Sequence, residues 1–226
     1  MKLYRIIGHS FFLILLLLAG LFYVERVLFA DSSFQLFKMI CFHEFNIEAN
    51  RYSMVVAQLI QFIPIKLGFS LNSIVLTYSL AFIIIFYISY LICIYVLKND
   101  IAGIIILLII IGIRCTFFHA ISEIWQAMTF TTIFFAWLQF YNLDSISNFK
   151  KLLFFYFVCV FLIVLSNFMH PASALPILFI ITFNIIHSKN YFNYKYYIPA
   201  AFVFLFAIIK YFTIPSDSYE GSFLVD

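Results

Sequence analysis

Charge is scarce in this sequence. Asp, Glu, Lys and Arg make up 10% of it and the mean hydropathy is +1.09, whereas soluble domains carry about 25% charged residues. A water-soluble globule is excluded. Also missing is any period-two alternation of apolar and polar residues. The apolar blocks are continuous runs, such as 11–18 and 101–113, which excludes a transmembrane barrel. No basic cluster with interleaved aromatics is present, so no nucleic-acid partner is expected. The four cysteines have no metal-ligand spacing. Cys93 and Cys159 fall in mid-span while Cys41 and Cys115 lie near loop ends, and all four are read as ordinary thiols. No internal repeat is visible, and no acid lies at the middle of any apolar span. Both absences count against a carrier built on inverted repeats.

What is present is a series of hydrophobic blocks long enough to cross a bilayer, which takes about 20 helical residues. They fall near 6–24, 72–96, 101–117, 124–141, 152–168, 172–187 and 198–213. The fold class expected is all-α: a polytopic transmembrane bundle of about seven spans, forming one module over 1–226. The first block follows Lys2 and Arg5. Ala30 sits where a signal peptide would be cut, but Leu28 is too large for the third position back, so a retained signal-anchor is expected.

One weaker segment, 53–67, contains Gln58, Gln61, Pro64 and Lys66. As a helix it reaches roughly 22 Å, short of a hydrocarbon core of about 30 Å. Basic residues favour the cytoplasmic side. If 53–67 dips in and returns, Lys98, Lys150, Lys151, Lys189 and Lys195 join Lys2 and Arg5 inside. If it crosses, those five lysines face outward. The non-crossing topology is expected, with a cytoplasmic amino terminus and a half-buried helix shielded by protein. It gathers Glu25, Asp31, His43, Glu44, Arg51, Arg114, His119, Glu123 and His170 on the outer side.

Residues 25–52 form the charge-rich outer loop, holding Glu25, Arg26, Asp31, Lys38, Glu44, Glu48 and Arg51. Ser32 and Gln35 have the spacing of a capping box. Phe34, Phe37, Cys41 and Phe45 recur at helical spacing opposite Lys38 and Glu44, predicting an amphipathic helix in the interface. The polar tail 215–226 reads as the start of a further outer segment, from which a carboxy-terminal continuation or a partner chain is expected.

Asp31 has two readings: a cap favoured by a helix dipole, or a carboxylate serving as general base on an acceptor hydroxyl. In the outer turn 114–126, His119 and Glu123 are four apart and share a face if the turn is helical. Arg114 and Arg51 are candidates for phosphate oxygens, which suit the planar guanidinium fork. An internal ion pair between Arg114 and Glu123 is the structural alternative. His170, before Pro171, reads as a turn residue. Asp31, His119 and Glu123 lack the spacing of a metal site, so a divalent metal has no support and no other cofactor is indicated.

A first span followed by Glu25, Arg26 and Asp31, then an interfacial helix, a short segment ending Lys66-Leu67-Gly68 and a second acidic outer turn at Glu123 resembles the amino-terminal module of GT-C-type membrane glycosyltransferases, the group that includes protein mannosyltransferases and aminoarabinose transferases. The resemblance covers the whole chain at the level of pattern. It implies transfer of a sugar from a polyprenyl-phosphate carrier to an acceptor at the outer membrane face. Asp31 would be the first-loop base and Glu123 the second-turn acid. Arg51, Arg114 and His119 are candidates for the donor phosphate on charge and placement, not from the resemblance. No paired Asp-Glu or Asp-x-Asp stands at either acidic position, a departure from the family's pattern that leaves metal dependence open. Other lipid-linked glycan enzymes (a polymerase or ligase), a transporter and a structural membrane protein remain alternatives on the residues alone.

Overall fold

The computed structural model describes residues 2–28, 30–48, 50–112, 117, 123–141, 143, 146–189 and 191–213. Among these the chain is all-helical, with no strand. In chain order the helices are α1 (Lys2–Leu21), α2 (Tyr23–Val27), α3 (Ala30–Phe42), α4 (Met54–Lys66) and α5 (Leu71–Leu91). After a π turn (Ile92–Val96) come α6 (Asp100–Gly112), α7 (Glu123–Phe140), α8 (Phe149–Met169), α9 (Ala174–Ser188) and α10 (Tyr197–Thr213). The expected tail at 215–226 lies outside the described residues.

Four stretches are long and apolar enough to cross a membrane: Leu3–Leu21, Leu71–Val96, Phe149–Met169 and Pro171–Ser188. Helices α4 and α6 are shorter apolar helices. Large apolar side chains such as Leu13, Leu17, Phe157, Phe161 and Phe179 are exposed along the long helices. Such an inverted surface fits a lipid surround, because water would penalise each of them.

The direction of each helix follows from its ties. Asp100 accepts from Arg5 at 3.1 Å, and Ser79 Oγ donates to the Ala19 carbonyl at 2.8 Å. α1 and α5 are therefore antiparallel, and they approach closely. A Cβ on Gly8 would strike the Tyr90 ring, and one on Gly103 would strike Ile94. The opposite end of α1 carries α2, α3, α4 and the start of α5. Everything from residue 22 to residue 71 thus leaves and rejoins the bundle at one end, which we term the looped end. Glu123 opens α7 there, and Asn99, at the other end, donates to Gln139 near the close of α7 (2.8 Å). We term that other end the tied end.

Local chemistry sets the reversals. α5 unwinds through the π turn, Lys98 takes a left-handed φ of 52°, and Asn99 Oδ1 accepts from the Ala102 N–H at 3.0 Å to start α6. α4 ends where Gly68 adopts φ 69°. There the Phe69 N–H bonds the Pro64 carbonyl and the Gly68 N–H bonds that of Ile65 (3.0 and 3.1 Å). This is a Schellman closure, and only glycine takes that φ without strain.

The capping box expected at Ser32 and Gln35 does not form. α3 begins at Ala30, so Ser32 lies within its first turn, buried, and Gln35 faces the bundle instead of reaching back. Of the expected apolar stripe and its opposite face, Phe45 and Glu44 lie beyond the end of α3, Phe45 stacking on Phe62. Phe34, Phe37 and Cys41 are exposed, whereas Ser32, Gln35, Leu36 and Met39 are buried. Lys38 lies on the exposed face rather than opposite it, its Nζ 4.2 Å from the Phe34 ring centroid, where its stem covers apolar surface.

Candidate functional site

At the looped end, α4 presents a helical stripe to α5: Met54, Ala57, Gln58, Gln61, Pro64 and Ile65 are all buried. Two glutamines in such a stripe are unusual, since amides withdrawn from water need partners. Gln58 has them. Its Oε1 accepts from the Asn46 N–H at 2.9 Å and its Nε2 donates to the Asn46 carbonyl at 2.7 Å. Phe45 stacks on Phe62 beside this clasp, ring centroids 4.1 Å apart. The loop after α3 is thereby fastened to α4, with His43 and Asn50 in left-handed conformations at its turns.

The fastened loop carries two charged residues, Arg51 largely covered and Glu48 more open. Glu48 accepts from Lys38 Nζ at 3.0 Å and from Asn46 Nδ2 at 2.9 Å. Arg51 Nη1 donates to Glu123 Oε2 at 2.7 Å, and Gln35 Nε2 donates to Glu123 Oε1 at 3.3 Å. Three elements, α3, the loop before α4, and α7, thus converge on one carboxylate. Its side chain is 20% exposed and that of Arg51 is 17% exposed.

Burial pushes the Glu123 carboxyl above its ordinary value. Arg51 and the Gln35 bond pull it back, and the Glu48 charge adds to the rise. At Glu48 burial also acts upward, but the bonds from Asn46 and Lys38 and the charges of Lys38 and Arg51 outweigh it, leaving that carboxyl lowered. The two carboxyls are therefore shifted in opposite directions.

Arg26, given no role of its own in the sequence reading, is fully buried. Its Nε donates to the Phe117 carbonyl (2.7 Å), and its Nη1 to the carbonyl and hydroxyl of Ser79 (both 2.6 Å). The guanidinium sits 4.4 Å over the Phe117 ring. No carboxylate among the described residues pairs with it, and burial lowers its pKa to about 10, still charged at neutral pH. Its bonds run to α5 and to Phe117, so it reads as a tie.

Of the residues singled out by sequence, Arg51 and Glu123 are brought together. Glu123 is paired with Arg51, where the sequence suggested Arg114 as its internal partner. Asp31 lies in the first turn of α3, exposed, and among the described residues no hydrogen bond or ion pair joins it to Arg51, Gln35 or Glu123. Arg114 and His119 lie outside the described residues. His170 is a turn residue: its Nδ1 accepts from the Ala172 N–H at 3.2 Å. No three of the described His, Cys, Asp and Glu residues converge in a way that would hold a metal ion.

Sequence reasoning missed the glutamines. Gln35, Gln58, Gln61 and Gln126 are all buried, and the spacing of Gln58 and Gln61 within an apolar segment was the available signal. No family model, curated protein or solved structure matches this chain.

Proposed function

We propose that this chain is a membrane glycosyltransferase, moving a sugar from a polyprenyl-phosphate donor to an acceptor at the extracytoplasmic face. The observation that carries the reading is Arg51, whose guanidinium is fixed by Glu123 at the one end of the bundle where α3 and α4 lie against the long helices. A preorganised, partly desolvated guanidinium suits a phosphate that gains charge as its bond to the sugar breaks. Both Glu123 oxygens are engaged, so Glu123 acts as a positioning residue for Arg51 rather than as the acid that the GT-C resemblance implies.

Asp31, exposed at the start of α3, takes the acceptor proton. The acceptor oxygen attacks the anomeric carbon, the bond from that carbon to the phosphate oxygen breaks, and polyprenyl phosphate leaves with the electron pair. Arg51 meets the developing charge, with Arg114 and His119 assigned to the same phosphate. In this reading α1 and α5 to α10 are the seven spans, the amino terminus is cytoplasmic, α3 lies in the interface and α4 is half-buried on the outer side.

Membranes bearing the protein, given a panel of radiolabelled polyprenyl-phosphate sugars, should transfer label to lipid or polymer acceptors. Asp31→Asn should abolish transfer at unchanged protein abundance, and full activity in that variant removes Asp31 as the base. Single cysteines at His43 and Lys98, in an otherwise cysteine-free chain, should react with impermeant reagent from outside and inside respectively. Reaction of both from one side defeats the topology.

A further inference from the structure

Helices α6 and α9 each pack on α7, and between them runs a groove of about 560 Å³. Met128 and Phe135 of α7 lie along its floor. Ile105 and Ile109 of α6 form one wall, and Phe179 and Phe183 of α9 the other.

The groove starts at the looped end. On α7 its lining begins at Trp125, two residues after Glu123 opens the helix. The turn into α9 lies at the same end, because Phe168, near the close of α8, meets Tyr52 of the loop before α4 edge to face, ring centroids 5.6 Å apart. On α9 the lining begins at Pro176, near the start of that helix. The helix from Trp125 to Phe135 rises about 15 Å, half of a hydrocarbon core of about 30 Å. The groove is one leaflet deep.

Its lining offers little to water. Thr132 Oγ1 donates to the Met128 carbonyl of its own helix at 2.8 Å, and the Thr131 hydroxyl is buried. A cavity without polar partners stays dry. The surface beside it faces lipid: Phe179 is 71% exposed and Phe183 43%, both on the membrane-long stretch Pro171–Ser188. The material that meets this groove is therefore hydrocarbon, and the depth suits one chain from the leaflet at the looped end. Trp125 stands at the mouth, where indoles favour the membrane interface.

The occupant is distinct from the donor. At about 100° per residue, Met128, Thr132 and Phe135 project from the side of α7 away from Glu123. The groove does not open onto the Arg51–Glu123 pair, so a lipid whose phosphate is held by Arg51 has its tail elsewhere. We infer that one acyl chain of a bilayer phospholipid seats between α6 and α9 as a resident packing element. The inference stands independently of the transferase reading.

The full chain, purified from membranes in mild detergent and measured by native mass spectrometry, should carry one phospholipid. Ile105→Phe combined with Ile109→Phe fills the groove, and retention should fall at least fivefold. Leu108→Phe makes the same kind of change on the exposed side of α6 and should retain lipid as the parent does. Phe179→Ala combined with Phe183→Ala opens the outer wall from surface positions without crowding the interior, and should lower retention at least threefold. A single gel-filtration peak at the parent's volume shows that each variant is folded. Location is read by fluorescence. Trp137→Phe leaves Trp125 as the one indole. After reconstitution with phosphatidylcholine brominated along an acyl chain and return to detergent, its emission should stay quenched twofold or more, and filling the groove should restore it. Retention indifferent to both wall changes, or quenching that vanishes in detergent, overturns the inference. Relief of quenching by equimolar polyprenyl phosphate puts the donor's tail in the groove and overturns the choice of phospholipid. A parent dimer that becomes monomeric when the groove is filled puts a second copy there, and overturns it too.

Discussion

The two ends of the bundle use similar residues to opposite effect. At the tied end, Arg5 meets Asp100, Asn99 spends both sides of its amide on Gln139 and the Ala102 N–H, and Lys195 Nζ donates to the carbonyls of Leu143 and Ile146. His9 engages the Tyr87 and Tyr95 hydroxyls. None of these groups is among the described buried polar atoms that lack a partner. The helices of the looped end, with its Arg51–Glu123 ion pair, carry Gln35 Oε1, Gln61 Oε1, the Gln126 amide and the Tyr78 hydroxyl, buried atoms that have no partner among the described residues. A helix bundle that only needed to be closed would be closed at both ends alike. Among the described residues, these polar groups of the tied end are met by protein, whereas several at the looped end are not.

The largest effect expected from that difference concerns the two arginines. Arg51→Leu strands the Glu123 carboxylate in a site that is mostly buried. The loss should be about 2–3 kcal/mol, below the range for fully buried pairs because some solvent reaches both partners. Arg5→Leu breaks a more exposed pair, 28% and 24% accessible, and should cost less than about 1 kcal/mol. Unfolding in mixed micelles by graded SDS measures both. Equal losses would erase the distinction between the ends.

A smaller contrast sharpens it. Asn99→Ala removes a helix cap and the bond to Gln139, and should cost about 1–1.5 kcal/mol. Gln61→Leu replaces an amide whose buried Oε1 has no partner among the described residues by an apolar group of similar volume. It should be neutral, or stabilising by up to about 1 kcal/mol, in the same unfolding assay. A Gln61→Leu variant as damaged as Asn99→Ala would mean that the amide serves the fold after all.

Much of the architecture was legible from the sequence, for a physical reason. Lipid demands long apolar helices, and hydropathy reads them directly. The exposed phenylalanine face of α3 and the short α4 followed from periodicity and length. The site was legible only in part. Arg51 and Glu123 stood out as charges near apolar segments, yet they are 72 residues apart, and nothing local says that they touch. Arg26 looked like any loop charge, because its burial depends on Ser79 and Phe117 far along the chain. Gln35 was misread as half of a capping box, because the local motif fits Ser32 and Gln35 equally well whether α3 starts at Ser32 or at Ala30. Side-chain pairing across the bundle decides such cases, and a single sequence does not encode it in any short window.

The smallest effect is one of pH, and it isolates the looped end most cleanly. Burial raises the Glu123 carboxyl above its ordinary value of 4.5, so the folded state favours its protonated form. The stability this gives is fully present below the unfolded value and is lost as pH rises through the raised folded one. Glu48 is lowered, so its contribution is present above its unfolded value and is lost as pH falls. The two slopes oppose each other in the parent protein. Their separation comes from Glu123→Gln, which keeps a group able to accept from Arg51 and Gln35 but does not titrate. The variant's stability relative to the parent should therefore increase as pH rises from about 4.5 to neutrality. A flat difference for Glu123→Gln across that range would mean that Arg51 fully offsets the burial of its partner.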